Sequence, residues 1–419
     1  MKPRKPFLVL GMLCLMASFV VQAQLTALNA DAWLDVNSGD LIKPARILID
    51  GSSIRSINAQ EIVDAIEIDL PGYTLLPGLI DSHTHLTRDI TPGWREQPVR
   101  ESEADWALRG ARNALLTLKA GFTTVRDLGS FRFADISLMN AINKGFVPGP
   151  DMITCGHIIC RTGGHCDFGG YVREILTPQP EFGMADGREE IIKAVRHQVR
   201  RGAKVIKVAV GGGATSEAAF KSPDISDEEL EALVTEAHRH NLKVAAHAHA
   251  ASSVIAAVKA GVDSVEHGFL LTPEAIELMV ERNTWLVPTI ALLKFLPSAG
   301  LSRTGERKAA ALAPYARISL TEAINAGVRV AFGTDAAVVP HGHNAVEFDE
   351  LVELGMSNLD AIRTATVNAA ELLGLPDRGQ ITPGYRADII AVKGNPLEDI
   401  SQLHSVEFVM KAGDIYSQP

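Results

Sequence analysis

The stretch "LLPGLIDSHTHL", residues 75–86, decides how the rest of this sequence is interpreted. An apolar, strand-like run ends here in His83 and His85, which are separated by one residue. Side chains at positions i and i+2 lie on the same side of an extended chain, so both imidazoles can reach one metal ion or two adjacent ones. Surface exposure is the usual alternative for a His-x-His pair. The apolar strand before this pair favours a metal site.

The middle of the chain repeats this arrangement of an apolar run followed by a helical pattern. Such runs predict strands at 74–82, 122–127, 151–157, 203–210, 243–249, 264–268, 285–290 and 329–334. Near-continuous apolar runs are typical of parallel strands that are covered on both faces. We therefore predict an α/β fold with a (β/α)8 TIM barrel over residues 73–383. A doubly wound open sheet is the alternative, but no G-x-G-x-x-G motif follows the first strand.

The two flanks of this middle region resemble each other. Residues 24–72 and 384–419 both alternate apolar and polar residues over short runs that are broken by turn signals. Because strand-rich ends flank a different middle, we expect both ends to build one small β-sandwich domain together.

The first residues have the features of a targeting segment. A basic start is followed by an apolar run from Phe7 to Val21, which is too short for a comfortable membrane span, and Val21-Gln22-Ala23 is similar to a cleavage site. We predict a signal peptide over residues 1–23, and hence export to the periplasm or secretion. An uncleaved anchor is the alternative; after cleavage we expect no stable membrane insertion.

Composition narrows the class of protein. Hydrophobic residues make up 46% of the 419 residues, which is enough for a sizeable core. The net charge of −10 argues against a nucleic-acid partner, since such proteins carry a basic patch.

Three cysteines follow the predicted signal peptide, namely Cys155, Cys160 and Cys166. An odd number leaves at least one thiol unpaired within a monomer. Their spacing matches no common zinc pattern. A disulfide between two of them is open, and the sequence does not select the pair.

Further polar residues stand at or near the ends of the predicted strands, where TIM barrels carry their chemistry. Lys207 lies inside the apolar run "AKVIKVAVGGG", where a lone ammonium group is costly. It either reaches solvent or an acid, or reacts with carbon dioxide to give a carbamate that can bridge two cations. His247 and His249 share one face of "KVAAHAHA".

The last two candidates are His267, which ends the sixth predicted strand after Glu266, and Asp335, which follows the eighth. For Asp335 alone a helix N-cap would be the favoured interpretation. Taken in the order of the predicted strands, however, the polar residues at or near the strand ends are His-x-His, Lys, His, His and Asp. This combination predicts a cage for two metal ions.

The same combination resembles the amidohydrolase superfamily, and the motifs "PGLIDSHTHL", "GTDA" and "GYRADIIAVKGNPLEDI" are similar to its signatures. The resemblance implies two divalent ions, typically zinc, and a carbamate on Lys207. The ligands that it implies are His83, His85 and Asp335 for one ion, His247 and His267 for the other, and Lys207 as the bridge.

Within the superfamily, motifs such as "TGGHCDFGG" and "AAHAHA" resemble those of prolidase-like metallocarboxypeptidases and ochratoxin-hydrolysing amidohydrolases. This implies cleavage of the amide bond to a C-terminal amino acid, in Xaa-Pro or similar dipeptides, N-acyl amino acids or ochratoxin A. It also implies a homo-oligomer, in this group an octamer. One departure is Cys166, which follows His165 where a small, non-thiol residue is expected.

The expected mechanism is attack by a hydroxide formed from water between the two ions, with Asp335 moving the proton to the leaving nitrogen. The substrate's free carboxylate needs hydrogen-bond donors. Candidates are the backbone of Gly211, Gly212 and Gly213, as an anion nest, with His165, His249 and His341 around it. A simple tight turn is the alternative for the glycines, and a solvated loop for His341.

Two rival functions use the same sequence features. A hydrolase of a cyclic amide or lactone, similar to imidazolonepropionase, would share the scaffold, although that enzyme lacks the bridging lysine and uses one metal. A non-catalytic scaffold protein of this fold would be expected to lose metal ligands, and all six are present here.

Overall fold

The computed structural model describes residues 25–58, 64–167, 171, 180–213, 215–216 and 222–419, so the signal peptide predicted at 1–23 lies outside the described residues. The strands are β1 Leu25–Leu34, β2 Leu41–Ile42, β3 Ala45–Asp50, β4 Ser53–Ile57, β5 Ala65–Pro77, β6 Leu79–Thr84, β7 Phe122–Asp127, β8 Asp151–Thr154, β9 Val205–Ala209, β10 Lys243–Ala250, β11 Ser264–Leu270, β12 Trp285–Val287, β13 Ile389–Lys393, β14 Val406–Lys411 and β15 Asp414–Ser417. The α-helices are α1 Gln97–Arg100, α2 Glu103–Lys119, α3 Ala134–Asn143, α4 Arg188–Arg201, α5 Asp227–Arg239, α6 Ala251–Ala260, α7 Pro273–Arg282, α8 Leu292–Phe295, α9 Arg303–Asn325, α10 Val346–Glu353, α11 Asn358–Arg363 and α12 Ala369–Leu373.

Strands from both ends of the chain form one sheet, in the order β15-β14-β13-β5-β1-β3-β4, with β2 paired to β1. The pair β1–β5 is parallel, whereas β5–β13 is antiparallel. Buried apolar residues of this sheet, among them Leu28, Ile47 and Phe408, form a core cluster of their own. The joint use of both ends agrees with the sequence analysis, and the sandwich arrangement stays a prediction.

The run predicted as one strand at 74–82 is divided between two sheets. β5 ends at Pro77 and β6 begins at Leu79. Gly78 stands between them, and a Cβ atom there would lie 2.3 Å from the Thr123 hydroxyl oxygen, so no larger residue fits without a shift. This crossing point connects the terminal sheet directly to the first strand of the α/β region.

The middle of the chain alternates parallel strands with helices in a TIM-barrel-like α/β arrangement. One sheet has the order β6-β7-β8, and a second has the order β9-β10-β11-β12. Backbone hydrogen bonds join the segment after β8 to β9, from Ile159 N–H to the Lys207 carbonyl at 2.8 Å and from Ala209 N–H to the Ile159 carbonyl at 2.9 Å.

The eighth predicted strand, 329–334, is not a continuous strand. The segment forms an isolated parallel bridge to β12 at Val330, and a second one joins Ala336 to β6. Its backbone still bonds to both neighbours: Ala331 N–H donates to Leu286 O at 3.0 Å, and Ser82 N–H donates to Phe332 O at 2.8 Å. Asp335 follows this segment and has a left-handed φ of 57°, so the extended conformation does not continue from it to the bridge at Ala336.

The strands of the second sheet are buried along almost their whole length. Val208, Val244, Val265 and Leu286 belong to the largest apolar cluster, which also takes in residues of the surrounding helices. Because they are packed on all sides, these strands hold their polar residues in fixed positions.

No helix among the described residues is long and apolar enough to cross a membrane.

Candidate metal centre

All six predicted metal ligands line one cleft. They are His83, His85, Lys207, His247, His267 and Asp335. Two sets of potential ligand atoms each lie within 4.8 Å of one another: His247 with His249 and His267, and His83 with His267 and Asp335. The strand ends thus bring together residues that the sequence separates widely.

Two histidines at the end of β6 have their Nδ1 atoms engaged by the protein. His83 Nδ1 lies 2.8 Å from the Glu266 carboxylate, and His85 Nδ1 lies 2.9 Å from the carbonyl oxygen of Gly129. A carbonyl oxygen only accepts, and Glu266 is ionised, so both Nδ1 atoms carry the hydrogen. In the neutral rings, Nε2 then has a free lone pair, which is the form that binds a metal.

His267, in the middle of β11, is held in the same tautomer by a different hydrogen-bond partner. Its Nδ1 lies 2.7 Å from the Thr289 hydroxyl, and that hydroxyl donates its single hydrogen to the Pro288 carbonyl at 2.7 Å. The hydroxyl can therefore only accept from His267, which leaves Nε2 of this ring unprotonated as well. Burial also lowers the pKa of His267 well below its ordinary value.

Asp335 faces the free nitrogens of the β6 histidines. Its Oδ1 lies 3.2 Å from His85 Nε2 and 3.6 Å from His83 Nε2. A carboxylate oxygen and unprotonated imidazole nitrogens at this distance repel each other unless a cation lies between them. The donor set therefore fits a metal ion.

Two of these residues have strained backbones. Asp335 has a φ of 57° and His267 a φ of 76°, in the left-handed region that favours glycine. Such conformations cost about 1–3 kcal/mol each and collect at functional sites, where the surroundings impose them. The side chain of Asp81 supplies part of this constraint, since it accepts hydrogen bonds from Thr334 Oγ1 at 2.6 Å and Asn344 Nδ2 at 2.8 Å.

Lys207 is buried on β9 with 2% exposure, and its Nζ atom has no hydrogen-bond partner among the described residues. Burial lowers its pKa to about 8, against the opposing influence of Glu266 and Asp335. A buried ammonium group without a partner is costly, and a neutral amine or a modified one is less so. The alternative of a lysine that reaches solvent does not agree with this position.

A buried ion pair behind the metal ligands was missed by the sequence analysis. Arg126, from β7, donates to Glu266 at 2.9 Å and to the Ser82 carbonyl at 2.6 Å, and both charged side chains are at most 1% exposed. Burial raises the pKa of Glu266, but Arg126 and His83 lower it to about 2. This pair fixes the carboxylate that orients His83.

His247 and His249 both contribute to the other side of the cleft. The Nε2 atom of His247 has no hydrogen-bond partner among the described residues. The ring of His249 stacks on that of His267, with centroids 4.8 Å apart. Burial lowers the pKa of His249 to about 3, so its ring is neutral near neutral pH.

His165 stacks on His247, with ring centroids 3.9 Å apart and planes inclined by 18°. Its Nδ1 lies 3.1 Å from the Ser216 hydroxyl. The neighbouring Cys166 forms a disulfide with Cys160, which answers the pairing question, and Cys155 is a free, buried thiol.

The other residues predicted to bind substrate occupy different positions. Gly213 lines the cleft, where an added Cβ atom would lie 3.1 Å from His165. Gly211 and Gly212 are not among the described lining residues, and Gly211 packs near the Ser253 hydroxyl. His341 donates from Nε2 to the carbonyl of Arg88 at 2.8 Å and does not line the cleft.

Arg88 is a cleft residue that the sequence analysis overlooked. Its guanidinium carbon lies 5.6 Å from the centre of the Trp94 ring, and burial lowers its pKa to about 10, so it stays cationic at neutral pH. Its position three residues after His85, on the loop that follows β6, is the feature of the sequence that could have identified it. The rest of the wall is largely apolar, with Ile90, Trp94, Phe269, Leu292, Leu296 and Leu312.

Comparisons with known proteins agree with this geometry. Residues 74–416 match the amidohydrolase family. The chain is 37% identical over 378 residues to ochratoxinase from Aspergillus niger, a match that covers 82% of this chain and 76% of the relative.

Solved structures give the same result. A Xaa-Pro dipeptidase with methionine in its active site superimposes with a TM-score of 0.90 at 38% identity, over 94% of this chain and 100% of the other. A prolidase complexed with N-methylphosphonate-L-proline gives 0.87 at 32% identity, over 94% and 100%. The chain therefore belongs to the amidohydrolase family and is a hydrolytic enzyme.

Proposed function

We propose that this enzyme is an exported, binuclear metal-dependent amidohydrolase that cleaves the amide bond to a C-terminal amino acid. The observation that carries the metal part is the common tautomer of the three histidines, since each has Nδ1 engaged and Nε2 free. Export rests on the sequence of residues 1–23 alone.

The proposed ligands divide between two ions, with zinc as the first candidate because imidazole suits zinc. His83, His85 and Asp335 would hold one ion, and His247 and His267 the other. The grouping of His247, His249 and His267 within 4.8 Å supports the second position. On this assignment His249 faces the substrate, where its neutral ring can donate or accept a hydrogen bond.

Lys207 would bridge the two ions as a carbamate. Its neutral amine forms a bond to the carbon of carbon dioxide and releases one proton, which gives a group with one negative charge and two oxygen atoms. The absence of a hydrogen-bond partner for Nζ among the described residues supports this modification, because it replaces an unsatisfied donor with two ligand atoms.

Bound at these positions, the two ions would lower the pKa of a water molecule and polarise the substrate carbonyl. Asp335 accepts the proton of the attacking water and delivers it to the leaving nitrogen. Its place beside the Nε2 atoms of His85 and His83 supports this role. The buried pair of Arg126 and Glu266 keeps His83 in orientation throughout.

The cleft also supports a substrate class. Arg88 supplies a permanent cation for a free carboxylate, with His165 and the Gly213 backbone nearby. The apolar wall suits an apolar side chain or acyl group, as in Xaa-Pro and similar dipeptides, N-acyl amino acids or ochratoxin A. Two of the relatives named above are an ochratoxinase and a Xaa-Pro dipeptidase, and such substrates carry this combination of groups.

The scaffold completes the proposal. We infer that the middle region is a closed eight-stranded barrel. The backbone hydrogen bonds from Ile159 to β9, and from the 329–334 segment to β6 and β12, would join the two sheets where regular strand pairing stops. The terminal sheet would belong to a β-sandwich domain. Assembly into a homo-oligomer, an octamer by family resemblance, is part of the proposal.

The test is a hydrolysis assay of the metal-loaded enzyme against Xaa-Pro, Xaa-Phe and Xaa-Arg dipeptides, N-acyl amino acids and ochratoxin A, with the C-terminal amide of each best substrate as a matched control. We expect turnover of apolar substrates with a free carboxylate, a sharply raised KM for the amides, and two metal ions per chain. Hydrolysis of a cyclic amide or lactone alone would favour the alternative function. Material that binds no metal would contradict the proposal.

A further inference from the structure

We propose that the Cys160–Cys166 disulfide is a positioning element of the active site, which holds His165 against His247 and thereby sets the affinity for substrate. This inference rests on the proposed function, because it assigns a role to a side chain of the same cleft. Its starting observation is that the disulfide includes the residue directly after His165.

One end of the disulfide is part of the rigid framework. Cys160 is 1% exposed, its N–H donates to the Gly183 carbonyl at 2.9 Å, and its own carbonyl accepts from Ala185 N–H at 3.0 Å. The preceding residue, Ile159, exchanges backbone hydrogen bonds with β9 at 2.8 and 2.9 Å. Cys160 is therefore fixed relative to the strand that carries Lys207.

The other end lies in a loop with many internal bonds. Gly163 N–H donates to the Asp167 carboxylate at 2.7 Å, and Gly164 N–H donates to the Arg161 carbonyl at 2.9 Å. These bonds shape the loop, but they do not attach it to β9. Outside the loop, Thr162 N–H donates to the Asp186 carboxylate at 2.9 Å, and His165 itself contacts the Ser216 hydroxyl. The disulfide adds a covalent link, one residue from His165, to Cys160, which directly follows the residue that bonds to β9.

His165 tolerates little displacement. Its ring lies face to face with His247 at 3.9 Å, and Gly213 packs so closely against both rings that a Cβ atom would lie 3.1 and 3.2 Å from them. A shift of the loop would therefore move His165 out of its place in the cleft wall.

Stability alone explains this disulfide poorly. The two cysteines are six positions apart, and a cross-link that closes so short a loop removes less entropy from the unfolded chain than one that closes a long loop. A local positioning role fits the short separation better.

The experiment compares Cys160→Ser and Cys166→Ser with the unmodified enzyme, with Cys155→Ala as the control that leaves the disulfide intact. Intact mass after thiol alkylation counts the free thiols in each protein, and metal content is measured alongside. We expect KM to rise about tenfold in both serine variants, as when one hydrogen bond to a charged group is lost, with kcat changed by less than about twofold and metal content unchanged. Cys155→Ala should retain the original KM.

A double-mutant cycle tests whether the disulfide acts through His165. His165→Ala should raise KM by a similar factor, and Cys166→Ser added to it should have no further effect, because coupled residues are not additive. Independent, multiplying effects would overturn the inference, as would an unchanged KM in the serine variants or a joint loss of kcat and metal. Lack of any hydrolysis by the unmodified enzyme would instead contradict the proposed function.

Discussion

His83 on β6 and Glu266 on β11 meet although their strands belong to different sheets, with Nδ1 of the imidazole 2.8 Å from Oε2 of the carboxylate. The carboxylate in turn bonds to Arg126 at 2.9 Å and to Ser264 at 2.6 Å. A charged pair buried below the cleft thus determines the orientation of a ring that faces the proposed metal site.

Removal of Arg126 would leave the Glu266 carboxylate buried without its countercharge. We expect Arg126→Met to lower the free energy of unfolding by about 3–5 kcal/mol, the range for a broken buried pair, as measured by urea denaturation. Arg46→Met is the matched control, because the Arg46–Glu67 pair is partly exposed to solvent, and it should cost about 1 kcal/mol or less. Equal losses in the two variants would contradict the importance of burial.

The hydroxyl of Thr289 selects the tautomer of His267. Thr289→Val keeps the shape of the side chain but removes the acceptor at 2.7 Å, so metal affinity should fall about 10- to 100-fold, as for other outer-shell partners. Thr289→Ser should retain most of the affinity, because it keeps the hydroxyl. Metal titration by calorimetry or with a competing chelator measures both, and equal affinities would refute the assignment.

Asp335→Asn should retain most of the bound metal, because the amide oxygen still coordinates, but it cannot accept the proton of water. We expect kcat to fall about 10²- to 10⁴-fold, the usual contribution of a general base. Asp31→Asn, on an exposed position of β1, is the control and should leave kcat unchanged. Turnover near the original value in Asp335→Asn would remove this residue from the mechanism.

Lys207→Ala removes the proposed bridge. We expect activity to fall by at least the roughly 10- to 100-fold that loss of an outer-shell partner causes, with partial recovery when formate supplies carboxylate oxygens. Lys204→Ala, on the exposed residue just before the same strand, should behave like the original enzyme. Full activity of Lys207→Ala, or metal content equal to that of the control, would argue against a bridging carbamate.

Arg88 is expected to recognise the substrate's carboxylate. Arg88→Met should raise KM about ten- to hundredfold for substrates with a free carboxylate, the range for loss of hydrogen bonds to a charged group, and should leave the KM of the corresponding amides unchanged. Arg88→Lys should lie between the two, since lysine keeps the charge but loses the planar fork. Equal effects on acids and amides would indicate a structural role instead.

Much of the site was predictable because metal ligands impose local patterns. His83 and His85 are recognisable because they follow an apolar strand at a spacing of two, and Lys207 because it lies inside an apolar strand. Both patterns follow from the geometry of a single strand, which a sequence displays directly.

The supporting residues were not predictable, because each acts on a partner far along the chain. Arg126 and Glu266 are separated by 140 positions, and either could be an ordinary surface charge in the sequence. The left-handed backbone conformation of Asp335, directly after the eighth predicted strand, is likewise revealed by no pattern of apolar residues. The disulfide pair was open for the same reason, since it depends on how one loop folds back.

The terminal sheet has a consequence for how the polypeptide is made. β5 has β1 on one side and β13 on the other, so its second edge has no partner until residues 389–393 have left the ribosome. Such an unpaired edge can pair with other chains during synthesis, and a molecular chaperone that covers it would prevent this aggregation. Since β5 leads directly into β6, the strand that carries His83 receives its final support only after β13 has been synthesised.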